Sequence, residues 1–419
     1  MRKSQMIKLS YSTNGLLNLN LFAAIDAVES AGYNGIELSF DKNQFNPFEL
    51  NSQELKKIRD YFTTKNIKPA CIATPTIAFL SDRPHEPSVI CLDKAGRKQR
   101  ITLIKKGVEI AKVLKAPVVS FGSGFIRDEH IRNPQINPNE ILADSIHECM
   151  KDIGDITLTI EPEPGMLIET LDEGMAIVKT IGSRQFRLHM DLCHVYCSEK
   201  NYMEAVAAAA PYTAYLHVSD TNAGCNVKLK SYSSDLVMDF DLANYLIYFP
   251  DTCDFLFVSR QQAICFCDDM PDGDTLTTMC NLAGANAIQF IDYKELKMSD
   301  ATLDREINTY AVSVPGLSFY VLDRAKPVLR YLRTTLSEKT GKTILDKKVA
   351  NTLTGKVHYH EIPGYGEIDF KQTFQTLEEN GFKGYATVEL YHHVNTWEKA
   401  LRESIQILSN ARNYRQGAA

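Results

Sequence analysis

Short apolar runs with a two-residue period alternate along the chain with longer amphipathic stretches. The strand-like runs are Ile7–Thr13, Gly35–Phe40, Pro69–Ile72, Pro117–Gly122, Ile156–Glu161, Phe186–Asp191, Thr213–Ser219 and Tyr385–Leu390. Between them, helical periodicity marks Leu21–Ala31, Ser52–Asn66, Gly96–Leu114, Ile141–Ile153, Asp172–Ile181 and Tyr202–Ala210. Asn20 and Asn51 stand where N-caps belong, and Gly32 and Gly381 where left-handed C-caps belong. Strands alternating with helices make parallel βαβ units, and eight of them predict an α/β fold, a (β/α)8 TIM barrel.

The rhythm breaks once. About 165 residues separate the seventh strand from the eighth, where one βαβ unit needs roughly 30. Residues 222–356 therefore read as a large α+β insertion after strand seven, and 1–221 with 357–419 as the catalytic barrel. Within the insertion Phe255–Val258, Ala263–Cys267 and Ala287–Ile291 read as strands, and Val321, Ala325, Val328, Leu332 and Leu336 fall on one helix face. A folded segment leaving a barrel at a βα connection starts above the catalytic face, so the insertion is expected to cap the site.

Side-chain parity on the strands carries the chemistry. In DITLTIE, FRLHMD, TAYLHV and YATVEL one face is apolar and would meet the helices. The other face ends, near each strand's C-terminus, in Glu161, Asp191, His217 and Glu389 in turn. Active sites of such barrels lie at that end. Three carboxylates aimed at one point repel one another, and a divalent cation resolves the repulsion. One His with three carboxylates is a hard set, suited to Mn²⁺ first and to Mg²⁺, Co²⁺ or Fe²⁺, less to structural Zn²⁺. His189 lies inward but one pair deeper than Asp191 and reads as a hydrogen-bonded core or supporting residue.

Composition narrows the classes. The chain has 419 residues, 44% hydrophobic and 23% charged, ordinary globular values. Asp and Glu number 52 against 46 Lys and Arg, a net charge of −6, which disfavours a nucleic-acid partner. No run approaches a membrane span, and no signal-peptide pattern opens the chain; a cytoplasmic location is the expectation. The ten Cys lack framework spacing and read as reduced thiols; Cys265 and Cys267 have no second pair to complete a zinc site. The basic stretch 324–348, with Arg324, Arg330 and Arg333, reads as a solvated face.

At IEPEPG (160–165), MDLCH (190–194), LHVSD (216–220), HYHEIPGYGEIDF (358–370) and VELYHH (388–393) the chain resembles the xylose-isomerase-like TIM-barrel superfamily, in particular its sugar phosphate isomerase/epimerase members. HEPSV (85–89) and the helix running into APVVSFGSG (116–124) resemble it too. The likeness spans about 1–221 and 357–413. It implies that Glu161, Asp191, His217 and Glu389 bind one divalent metal, Zn²⁺ included among the candidates. It implies that Glu161 and Glu389 also exchange the proton and that His194 meets substrate oxygens. Glu37, His85, Glu163, His360 and His393 become substrate-side candidates, while His392 points the other way. Some sugar epimerases of this type carry an Arg a few residues past the seventh-strand ligand, where this chain has Ala223. The activity implied is isomerisation or epimerisation of a sugar, sugar phosphate or cyclitol, by proton abstraction next to a carbonyl through a metal-bound enediolate. A lyase or dehydratase using the same site, and a non-catalytic scaffold with the insertion as partner module, stand as alternatives. A homo-oligomer is left open.

Overall fold

The computed structural model describes residues 7–221 and 360–412, apart from 76–78, 82–84, 128, 131–132, 134, 165 and 200, and the strands and a few further residues of 222–359. Eight parallel strands close into a barrel: β1 (Lys8–Ser12), β2 (Gly35–Ser39), β3 (Lys68–Ala73), β4 (Val118–Gly122), β5 (Thr157–Glu161), β6 (Phe186–Asp191), β7 (Thr213–Val218) and β8 (Tyr385–Val388). Each pairs with its neighbours in sequence, and β1 closes the ring against β8. The helices lie between: α1 (Leu21–Ser30), α2 (Ser52–Thr63), α3 (Lys94–Leu114), α4 (Pro138–Cys149), α5 (Leu171–Ile181), α6 (Leu192–Ser198), α7 (Tyr202–Ala209), α8 (Phe370–Glu379) and α9 (Trp397–Arg412).

Local chemistry sets the element ends. The Asn20 and Asn51 side chains accept from the first-turn amides of α1 and α2, and Glu54 completes a capping box at Asn51. Gly32 and Gly381 follow α1 and α8 with φ of 94° and 88°, a region glycine enters at little cost. On α3, Ile101, Leu103, Ile104, Val108, Ile110 and Ala111 are buried against the barrel. The apolar layer between sheet and helices is one continuous cluster, from Ile7 and Leu9 on β1 to Ala386 and Val388 on β8.

The chain divides into two compact units, residues 1–221 with 358–419, and residues 222–357. Inside the second unit, a six-stranded sheet contains Asn244–Phe249, Asp254–Val258, Ala263–Cys267 and Gln289–Asp292. A three-stranded antiparallel sheet contains Leu303–Asp304, Thr309–Val314 and Leu317–Leu322. Val321 is thus in a strand rather than on the expected helix. It belongs to the alternating run LSFYVL, whose local pairing overrides a longer 3.6-residue pattern. Ala325, Val328, Leu332, Leu336, the basic stretch 324–348 and Ala223 lie outside the described residues. No described helix is long and apolar enough to cross a membrane.

Where the barrel sequence is interrupted, its two ends are joined by specific bonds. Asp220 and Glu361 form an antiparallel bridge through two N–H···O bonds of 2.7 Å. The Asp220 carboxylate then accepts from the amides of Thr221, Gly364 and Ile368 at 2.8–3.1 Å. This pins the loop before α8 against the end of β7.

Candidate metal centre

Glu161, Asp191 and His217 end or nearly end β5, β6 and β7, and Glu389 follows β8 directly, its amide still donating to Val218 O at 3.2 Å. One ligand atom from each of the four lies within 4.8 Å of every other. His217 Nδ1 is 3.2 Å from Glu389 Oε2, 3.4 Å from Glu161 Oε1 and 3.8 Å from Asp191 Oδ2.

Three of these side chains, His217, Asp191 and Glu389, are held from behind. Glu37, fully buried on β2, places its two oxygens 3.1 and 3.0 Å from His217 Nε2. A carboxylate only accepts, so Nε2 carries a hydrogen, and Nδ1, which faces the cluster, is the nitrogen whose lone pair a cation would take in place of a proton. The Asp191 side chain caps α6, Oδ1 accepting from the Cys193 and His194 amides at 2.7 and 3.0 Å. That leaves Oδ2 inward. Asn14, just past β1, donates through Nδ2 to Glu389 Oε1 at 2.8 Å, leaving Oε2 inward. His189 meets Ser120 Oγ at 2.6 Å and stacks edge-on under His217 at 4.0 Å.

The cluster draws in positive charge. Burial pushes Glu161 up, His217 pulls it back, and Glu389 and Asp191 push it up again, so it stands at about 8. Burial likewise raises Glu389 against the pull of His217. Burial opposes the His217 imidazolium, but Glu37, Glu389 and Glu161 hold it well above its ordinary value. For Glu37, burial is outweighed by His217, Ser12 and Tyr215, and its carboxyl sits low.

The residues fit a divalent cation. Asp191 Oδ2 and His217 Nδ1 are buried without a hydrogen-bond partner among the described residues, a costly arrangement unless another group meets them. The oxygen-rich donor set and the Glu37–His217 support match the way a metal-binding imidazole is oriented.

Two further histidines complete the wall. His194 and His360 are buried with their Nε2 atoms 3.1 Å apart. His194 Nδ1 is 3.6 Å from Glu161 Oε1, and His360 Nδ1 is 3.3 Å from Glu389 Oε2. Burial, with His217 beside it, lowers His194 to about 3, so it is a neutral imidazole at ordinary pH.

Other sequence candidates lie elsewhere. Glu37 does not face substrate: it has no exposed surface and both its oxygens are on His217. His393, part-exposed, turns to Glu361 Oε2 at 3.7 Å instead of the cluster, because the chain after β8 coils into a short 3-10 turn. Glu163 is buried in the turn after β5, its amide donating to Ile168 O at 3.0 Å. His85 is buried in the loop between β3 and α3, edge-on to Phe125. Asn14 was not anticipated from sequence. A lone Asn in a turn carries no parity signal, and only its nearness to Glu389 across the β1–β8 seam reveals it.

The family model of the xylose isomerase-like TIM barrel matches residues 25–246, a span that includes Glu37, Glu161, Asp191 and His217. An inosose isomerase from Halalkalibacterium halodurans is 27% identical over 219 residues, 51% of this chain and 72% of that enzyme. Among solved structures, a D-tagatose 3-epimerase-like protein superposes with a TM-score of 0.54 at 12% identity, over 96% of this chain and 99% of its own. The IolI protein with a bound zinc atom superposes at 0.51 and 16%, over 97% and 98%. At these identities the structural likeness concerns the fold. With a closed parallel barrel and more than half of its sequence matched by the family model, this chain belongs to the xylose isomerase-like TIM-barrel family.

Proposed function

We propose that the chain is a divalent-metal-dependent isomerase or epimerase acting on a sugar or cyclitol, by proton transfer at a carbon next to a carbonyl. The observation that carries this reading is the convergence of Glu161, Asp191, His217 and Glu389, with two buried donor atoms left open between them. The inosose isomerase relative supports a polyhydroxylated ketone as substrate.

Those four side chains would hold the cation. When bound, a hard dication polarises a substrate carbonyl and its neighbouring hydroxyl and acidifies the C–H between them. Glu161 and Glu389 come from separate walls of the site, one at the end of β5 and one past β8. One removes the proton, and the other returns it on the opposite face. Return to the same carbon inverts it, and return to the neighbouring carbon exchanges aldose and ketose. Of His194 and His360, paired through Nε2, the ring that accepts that hydrogen bond would still carry an N–H, at Nδ1, to offer the enediolate oxygens. Asn14 and Glu37 orient the two ends of the cluster. Mn²⁺ is the metal we expect, on the hardness of the set.

The test is a reconstituted protein offered inososes and ketoses in D₂O. We expect about one metal per chain and deuterium entering the carbon next to the carbonyl. Glu161→Gln and Glu389→Gln should each slow exchange about 10²–10⁴-fold. Protein that takes up no Mn²⁺, Mg²⁺, Co²⁺, Fe²⁺ or Zn²⁺ and exchanges nothing would overturn the proposal.

A further inference from the structure

A second, softer group of donors adjoins the cluster. Asp191, Cys193 and His360 each offer one ligand atom, and these three atoms lie within 4.8 Å of one another. Asp191 ends β6, Cys193 stands in the first turn of α6, and His360 comes just before the Glu361 bridge to Asp220. The loop before α8 is thus brought against the junction of β6 and α6, and all three residues belong to the barrel unit.

The three are out of water: Asp191 and Cys193 have no exposed surface, and His360 is 1% exposed. Asp191 Oδ1 takes the Cys193 and His194 amides, while Oδ2 is buried without a hydrogen-bond partner among the described residues. Cys193 is a free thiol, and its Sγ faces Asp220 O at 3.8 Å, a weak bond. The His360 backbone is held at a φ of 51°, in the left-handed region. Its ring nitrogens face His194 Nε2 at 3.1 Å and Glu389 Oε2 at 3.3 Å. Cys193 has no part in the four-ligand cluster, although it is two residues from one of its members.

A thiolate, an imidazole and a carboxylate make a softer set than the three carboxylates and one imidazole of the cluster. Tetrahedral Zn²⁺, with bonds of about 2.0–2.3 Å, holds its ligands roughly 3.3–3.8 Å apart. Atoms that already lie within 4.8 Å of one another close on it through small side-chain movements. Mn²⁺ and Mg²⁺ prefer oxygen and gain little from sulfur. Cys193 lies in the first turn of α6, where the helix N-terminus favours a thiolate, and its proton leaves to solvent as the cation binds.

We infer that Asp191, Cys193 and His360 form a second cation site, for a thiophilic dication of the Zn²⁺ class, that shares Asp191 with the first. Its occupant takes one nitrogen of His360 away from His194 or from Glu389. Inhibition of the Mn²⁺-loaded enzyme by Zn²⁺ therefore follows, and that consequence alone rests on the proposed isomerase or epimerase reading.

Ultraviolet titration of the chelator-treated, reduced full chain with Cd²⁺ tests the site without turnover. A cadmium–thiolate charge-transfer band reports sulfur and is blind to oxygen and nitrogen ligands. A band saturating at a single site is expected, and Zn²⁺ should abolish it. Cys193→Ser should remove the band. His360→Gln should weaken Cd²⁺ binding about tenfold or more, since even the outer partner of a metal ligand is worth that much, and it carries the test if Cys193→Ser does not fold. No band in the wild-type chain, or a band of unchanged strength and affinity in the folded variants, would overturn the site. Glu161→Gln should keep the band and lose the hard cation, so failure of the cluster and failure of this site are read separately. With Mn²⁺ bound, Cys193→Ser should turn over as wild type does and resist Zn²⁺ about tenfold better. Equal inhibition of the two would overturn the inhibitory role.

Discussion

Glu37 has no surface of its own, and both its oxygens lie within 3.1 Å of one imidazole nitrogen. Its effect on any bound cation runs through His217, by fixing the ring and raising the basicity of Nδ1. Supporting carboxylates of this kind typically matter about 10–100-fold in metal affinity. Glu37→Gln keeps an acceptor but removes the charge, so Co²⁺ affinity measured by absorbance titration should fall within that range. An unchanged titration would mean that His217 is oriented by something else. The raised values of Glu161 and His217 give a second residue-scale expectation. A group whose value in the folded chain is raised adds stability below its unfolded value, and that stability is lost as pH climbs through the folded one. Both groups act in this direction. In chelator, the melting temperature should therefore fall from about pH 7 towards pH 8, where His85, His189 and His194, held low by burial, are largely neutral in the unfolded chain too and no longer act the other way. A divalent ion displaces those protons, so its stabilising effect should grow over the same range. A melting temperature that instead climbs with pH across this window in chelator would contradict the charge distribution described here.

At the scale of elements, the loop from His360 to Asp369 is set by Asp220, whose carboxylate accepts from the amides of Gly364 and Ile368 within it and of Thr221 beside it. Gly366 is where that loop touches β7's end: a Cβ there would stand 2.2 Å from Thr221 O and 2.3 Å from Asp220 Oδ1. Gly366→Ala must lift the loop, at a cost of about 1–3 kcal/mol of overpacking. It should displace His360 and lower kcat while metal binding persists; wild-type kcat in a folded variant would show that His360 plays no part. Period-two parity made the strands and the inward set Glu161, Asp191, His217 and Glu389 legible from sequence, because each strand alternates by itself. What parity cannot show is the partner across the barrel. Glu37 has the same inward parity as the four, yet its height places it behind His217. Helix α6 was hidden because Asp191 serves as last strand residue and N-cap together, and seven residues give little periodicity. His393 sits beyond the strand, where parity stops.

At the scale of the whole molecule, the question is what residues 222–357 do for a barrel that closes without them. The chain leaves the barrel after Thr221, and on its return the described chain resumes at His360. These two residues flank the Asp220–Glu361 bridge, which holds the two passing segments as an antiparallel pair. Backbones so paired are about 5 Å apart, a gap that a loop of about 2–5 residues spans. The closure is thus already made by the barrel's own hydrogen bonds, and replacing 222–357 with a short Gly/Ser linker should leave a folded barrel with its Co²⁺ titration intact. From sequence we expect this unit to cap the site, since the connection it interrupts leaves from the catalytic end. A cap excludes water from a reacting carbanion and strengthens the electrostatics around it. Under that reading, the linker variant should keep metal but lose turnover and substrate affinity together. It should also exchange solvent deuterium into bound ketone less efficiently than the full chain. If the shortened protein turns over as the full chain does, with only its oligomeric state altered in sedimentation, the unit serves assembly and the barrel alone is the enzyme.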